Sequence, residues 1–136
     1  KGNPELNTEK QREIVIDYIK RWIGTPFTGN TTHDKMSCSG VVNEALKSVG
    51  IINRFKGNLL LPQLYERFKK NQVGAPKPGC IVFWFKEGET KPEHVDILID
   101  HEFVVGTCVD ELSSCVKMNH INYKLPERYE VCDPFQ

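Results

Sequence analysis

The feature that most constrains this chain is a change of hydrophobic period near residue 75. Before Ala75-Pro76-Lys77-Pro78-Gly79, apolar residues recur at helical spacing; after it they fall in short runs rich in Val, Ile and Phe. Thr8-Glu9-Lys10-Gln11 reads as a capping box. It opens a helix on which Ile14, Tyr18 and Trp22 form a stripe, widened by Ile16, Ile19 and Ile23 and stopped by Gly24 and Pro26. A second helix is expected from about Cys38 to Val49, with Val42, Leu46 and Val49 on one face, Ser37 as candidate N-cap and Gly50 as the stop. A third, short one starts at Pro62 with Leu64 and Phe68 inward. Strands are expected at Cys80–Phe85, His94–Ile99, Phe103–Val109, Ser114–Met118 and Arg128–Val131. Helices first and strands second predict an α+β domain, with helices on one face of a five- to six-stranded antiparallel sheet. At 136 residues, the whole of 1–136 is expected to be a single domain.

Charge excludes two classes of partner. Eighteen Lys and Arg balance eighteen Asp and Glu. Generic binding to nucleic acid or to an anionic membrane needs clustered positive charge, so neither is expected. The apolar run Ile81–Phe85 falls far short of the ~20 residues that cross a bilayer. The chain opens Lys1-Gly2-Asn3 and not at a Met, so its start leaves its cellular address open.

Five cysteines (Cys38, Cys80, Cys108, Cys115, Cys132) split naturally into one working thiol and up to two pairs. None are at C-x-x-C spacing, which argues against a zinc site or a thioredoxin-like redox site, and no metal or cofactor is expected. Cys108 and Cys115 could face each other across a hairpin, as a disulfide or as two buried thiols.

The candidate chemistry lies in two places. In Met36-Ser37-Cys38-Ser39-Gly40 the cysteine sits where a loop enters the second helix, and the unsatisfied amides and positive dipole there favour a thiolate. In Glu93-His94-Val95-Asp96-Ile97 a histidine opens a strand, a position that can hold an imidazole at a sheet rim facing a helix N-terminus. A thiol and a base within reach make a nucleophile near neutral pH. Read from the residues, this is a Cys-His hydrolase: Cys38 attacks an amide carbonyl, His94 protonates the leaving amine, and helix-start amides hold the oxyanion.

At this point the sequence resembles the NlpC-type family, cysteine peptidases of the bacterial cell wall with a minimal papain-like fold. Gly24-Thr25-Pro26-Phe27 followed by Gly29 resembles its Gly-x-Pro-aromatic loop. Cys38-Ser39-Gly40-Val41-Val42 resembles its nucleophile motif, Pro78-Gly79-Cys80-Ile81-Val82-Phe83-Trp84 its Pro-Gly-Asp strand, and His94-Val95 with Ile97 and Ile99 its His-Val-Gly-Ile strand. There are departures. Ser37 stands for the usual Asp, Phe27 for the usual Tyr and Cys80 for the Asp of the turn. Gly106 stands where the family often has the histidine that orients the catalytic one.

Register offers a substitute. If Asp100-His101-Glu102 is the hairpin loop, Ile99 faces Phe103, and Gly106 then faces Asp96. Asp96 holds the position where the family usually has Gly, so the polar and glycine positions look exchanged across the ladder. Asp96 also shares a sheet face with His94, being two residues away. It is the candidate orienter of His94, with His120 and Thr107 as fallbacks. Ser37, Ser39 and Phe27 are candidates for the oxyanion site and cleft. His33 is read as a loop residue near the cleft or in solvent, His101 as a hairpin tip, Lys69-Lys70 as a solvated face, Trp22 as core, and Trp84 as core or cleft wall.

The resemblance implies a peptidoglycan endopeptidase cutting the γ-D-glutamyl bond to a diamino acid. It implies action outside the cytoplasm, in a periplasmic or extracellular setting or from a bacteriophage virion, with other modules supplying targeting. Two other classes fit the same residues. One is an inactive papain-like module used for binding or assembly, as in a phage tail. The other is an amidase or acyltransferase using the same pair on another acyl substrate.

Overall fold

The computed structural model describes residues 4–26, 38–109 and 114–136. Three helices, α1 (Pro4–Lys20), α2 (Cys38–Lys47) and α3 (Leu61–Phe68), precede five strands: β1 (Ile81–Phe85), β2 (His94–Leu98), β3 (Phe103–Val109), β4 (Ser114–His120) and β5 (Arg128–Cys132). The strands form one antiparallel sheet in the order β4-β3-β2-β1-β5.

Helix α1 starts a turn earlier than the capping box predicts. Pro4 suits a first turn, because its fixed φ is helical and its missing N–H has no partner to lose there. Thr8 therefore lies inside the helix. The buried row is also different from the expected stripe. Val15 and Ile19 are fully buried, whereas Ile14 and Ile23 are 48% and 42% exposed. Apolar residues are dense enough along this helix to cover more than one face, and the sheet selects the row through 15 and 19. Ile16, Tyr18 and Trp22 pack along its flank, Trp22 only partly buried. Gly24 takes φ +90 and donates its N–H to the Val116 carbonyl at 2.7 Å. With the Val116 N–H donating to Thr25 O at 3.0 Å and a bridge from Pro26 to Cys115, this fixes the chain after α1 against β4.

Helix α2 buries Val41, Val42, Ala45 and Leu46 against the sheet. Buried Asn43 donates through Nδ2 to Ser39 O (2.6 Å) and Leu59 O (2.8 Å), and its Oδ1 accepts the Leu59 N–H (2.7 Å). It thereby ties the segment before α3 to α2. Helix α3 carries Pro62 in its first turn and turns Leu64 and Phe68 inward, as expected.

Strand β1 is buried at every position, on both faces. Ile81, Phe83 and Phe85 meet the helices; Val82 and Trp84 point the other way into a second cluster with Leu98, Val104, Ile121, Val131 and Tyr123. The centre of the sheet is therefore covered on both sides, and the chain after β4 supplies much of the second cover. A run with no polar alternation requires this. The β2–β3 turn forms as read: the Ile99 N–H donates to Phe103 O at 2.9 Å, and Asp100 Oδ1 accepts the amides of Glu102 and Phe103.

One buried ion pair joins the chain ends. Arg12 Nη2 meets Asp133 Oδ2 at 2.6 Å, Arg12 Nη1 donates to Pro78 O, and the guanidinium lies 4.7 Å from the Phe135 ring centroid.

Candidate active site

Cys38 is the first residue of α2 and is half-buried. His94 is the first residue of β2. The Cys38 sulfur lies near enough to the imidazole to act on its charge. The imidazole Nε2 lies 2.8 Å from Asp96 Oδ1. The geometry fits Nε2–H donating to the Asp96 oxygen, with Nδ1 as the other ring nitrogen. The imidazole thus has the carboxylate on one side and the sulfur in its neighbourhood.

Asp96 is 1% exposed, and its position follows from the ladder. β2 pairs with β3 through Ile97↔Val105 and Leu98↔Val104, so the next step places Asp96 opposite Gly106. A Cβ added at Gly106 would lie 2.0 Å from Asp96 Oδ1. The carboxylate fills the space that a side chain on β3 would take. The facing of Asp96 and Gly106 read from the register is therefore present in the packing.

The far oxygen is also held. Asp96 Oδ2 accepts a hydrogen bond from Trp84 Nε1 at 3.0 Å and another from the Tyr123 hydroxyl at 2.7 Å. Trp84 is the strand partner of His94, and its ring stacks edge-on with Tyr123, centroids 5.6 Å apart. Trp84 is fully buried, so it is core, but it also serves the site. Sequence reasoning missed Tyr123. It lies beyond β4 in a turn with no periodic signal, 27 residues from Asp96.

The electrostatics follow from this geometry. Burial opposes a charge on His94, but the Asp96 carboxylate and the Cys38 sulfur outweigh it and raise the imidazole to about 10. Tyr123 is pushed far up, first by burial and then by the Asp96 charge, so it stays a donor. Burial raises Cys80, and raises Cys132 to about 12, which keeps both as thiols.

The other candidates divide. Ser39 is buried in the first turn of α2. Ser37, Phe27, Gly29 and His33 lie outside the described residues. Of the fallback orienters, Thr107 is buried on β3, and His120 is exposed, its Nδ1 accepting the Asn122 amide and its ring edge-on to Phe103. The carboxylate that reaches His94 is that of Asp96. Cys108 and Cys115 do face each other across β3 and β4, as half-buried thiols. Among the described residues no group of three or more His, Cys, Asp or Glu side chains could hold a metal, and no helix is long and apolar enough to cross a membrane.

Three helices packed on a five-stranded antiparallel sheet make an α+β domain of the papain-like type. More narrowly, the fold is that of NlpC/p60 domains. The chain is similar to the NlpC/p60 domain of the peptidoglycan hydrolase SagA, with a TM-score of 0.61 at 20% identity over 88% of this chain and 97% of that one. It is also similar to a protein of Staphylococcus aureus subsp. aureus Mu50 described as similar to lipoprotein, NLP/P60 family. There the TM-score is 0.56 at 13% identity, over 85% of this chain and 37% of that one. No family model matches the chain, and no curated protein matches it.

Proposed function

We propose that this chain is a cysteine endopeptidase that hydrolyses peptidoglycan stem peptides at the γ-D-glutamyl bond to a diamino acid, acting outside the cytoplasm. The observation that carries this reading is the Cys38–His94–Asp96 array. The fold shared with a domain of a peptidoglycan hydrolase supports the choice of substrate.

The steps follow from the array. With His94 held as imidazolium beside it, Cys38 attacks the amide carbonyl as thiolate. Amides at the opening of α2, that of Cys38 among them, stabilise the oxyanion. The His94 imidazolium, held by Asp96, gives its proton to the leaving amine. Water, deprotonated by His94, then attacks the thioester, the C–S bond breaks to release the acid, and the thiolate beside the imidazolium is regenerated. Other modules of a larger wall-lytic or phage tail protein would bring the domain to its substrate.

The test is mass spectrometry of muropeptides released from purified sacculi by the wild type and by Cys38→Ala. New amino groups on diaminopimelate or lysine, absent with the variant, are expected. Free muramyl lactate carboxyls would instead identify an amidase, and identical profiles from both proteins would leave an inactive binding module.

A further inference from the structure

We propose that Tyr123 and Trp84 are positioning residues for His94, acting through Asp96. The inference rests on the hydrolase reading for its kinetic consequence, but its geometry stands alone. Asp96 Oδ2 takes both donors, Trp84 Nε1 at 3.0 Å and the Tyr123 hydroxyl at 2.7 Å, which leaves Oδ1 aimed at His94 Nε2 at 2.8 Å.

A buried carboxylate with two oxygens can rotate about its Cβ–Cγ bond and trade partners. Here both oxygens are occupied, and the donors come from two different elements: β1 and the turn after β4. The rings that carry them are packed against each other, and Trp84 also packs on Tyr129 with centroids 4.9 Å apart. The wall at Gly106 closes a third side, since even a Cβ there would collide with Oδ1. The carboxylate is thus boxed in a single orientation. That arrangement is needed where the orienter stands on the same strand as the histidine, because same-face neighbours start ~7 Å apart at the backbone and must converge to touch. The two donors also satisfy an oxygen that burial would otherwise leave without a partner. The Tyr123 ring is well placed for this role, as its hydroxyl remains protonated beside the charge.

The test uses Tyr123→Phe, which removes the donor and keeps the ring. NMR titration of the His94 imidazole needs no substrate. It is expected to show deprotonation at a pH about one unit lower than in the wild type, as for loss of one hydrogen bond to a charged group. On sacculi, kcat is expected to fall on the order of tenfold with KM unchanged. In an Asp96→Asn background, Tyr123→Phe is expected to move the titration no further, because its route to His94 is already cut. Trp84→Phe is the companion variant and is expected to act in the same direction. A Tyr123→Phe protein that melts earlier but titrates and turns over like the wild type would overturn the proposal. A shifted titration in a wild type that releases no stem-peptide fragments would support the positioning role and sink the hydrolase reading, so the two failures are distinguishable.

Discussion

The carboxylate of Asp96 occupies the volume that any side chain at Gly106 would need: a Cβ on residue 106 would sit 2.0 Å from Asp96 Oδ1. Two adjacent strands therefore share one slot beside the histidine, and β2 has filled it. The consequence is a reciprocal dependence that can be measured.

Gly106→Ala is expected to force the carboxylate off His94. Overpacking at a buried site costs about 1–3 kcal/mol, so the urea midpoint should fall, and the His94 titration should move down with it. In an Asp96→Ala background the same substitution should cost less, because the slot is then vacant. Equal costs in both backgrounds would show that the two positions do not compete.

Asp96→Asn keeps the shape and removes the charge. His94 is expected to lose most of its upward shift from the ordinary value of 6.5 toward about 10. Turnover should fall by about a hundredfold or more, the range for losing acid–base function. An unchanged kcat would remove Asp96 from the proposed machinery.

The same group sets a pH signature on stability. Because His94 binds its proton more tightly folded than unfolded, its contribution is complete below about 6.5 and is lost as pH rises through about 10. The stability difference between wild type and Asp96→Asn should therefore shrink across that window. Denaturation midpoints of the two proteins measured from neutral to alkaline pH check the sign.

Thiol chemistry separates the cysteines. Iodoacetamide near neutral pH should modify Cys38 first, while Cys80 and Cys132, fully buried and raised by burial, should react only on unfolding. Peptide mapping after timed labelling reads this directly. Labelling of Cys38 no faster than in a denatured control would mean that its thiolate is not activated.

Asp133→Ala tests a contact remote from the chemistry. It leaves the buried Arg12 guanidinium without its partner at 2.6 Å, and breaking such a pair costs about 3–5 kcal/mol. The unfolding midpoint should drop sharply while the Cys38 labelling rate of the folded protein stays unchanged. A small loss of stability would mean that Arg12 is held by Pro78 and Phe135 alone.

Much of this arrangement is local and was therefore written in the chain. The shift from helical spacing to β-branched runs after residue 79 fixed the order of helices and strands, because each period commits its side chains to one kind of surface. The Asp100 turn set the β2–β3 register, and register alone puts Asp96 opposite Gly106 and on the face of His94. What the pattern left undecided depends on contacts between distant segments. Only packing chose Val15 and Ile19 over Ile14 and Ile23, since α1 carries more apolar residues than one face needs. Only the path of the chain after β4 brings Tyr123 onto Asp96, and only the seating of α2 against β2 brings Cys38 to His94. Those meetings have no period to announce them; they exist because a sheet whose centre is buried on both faces draws remote parts of the chain over it.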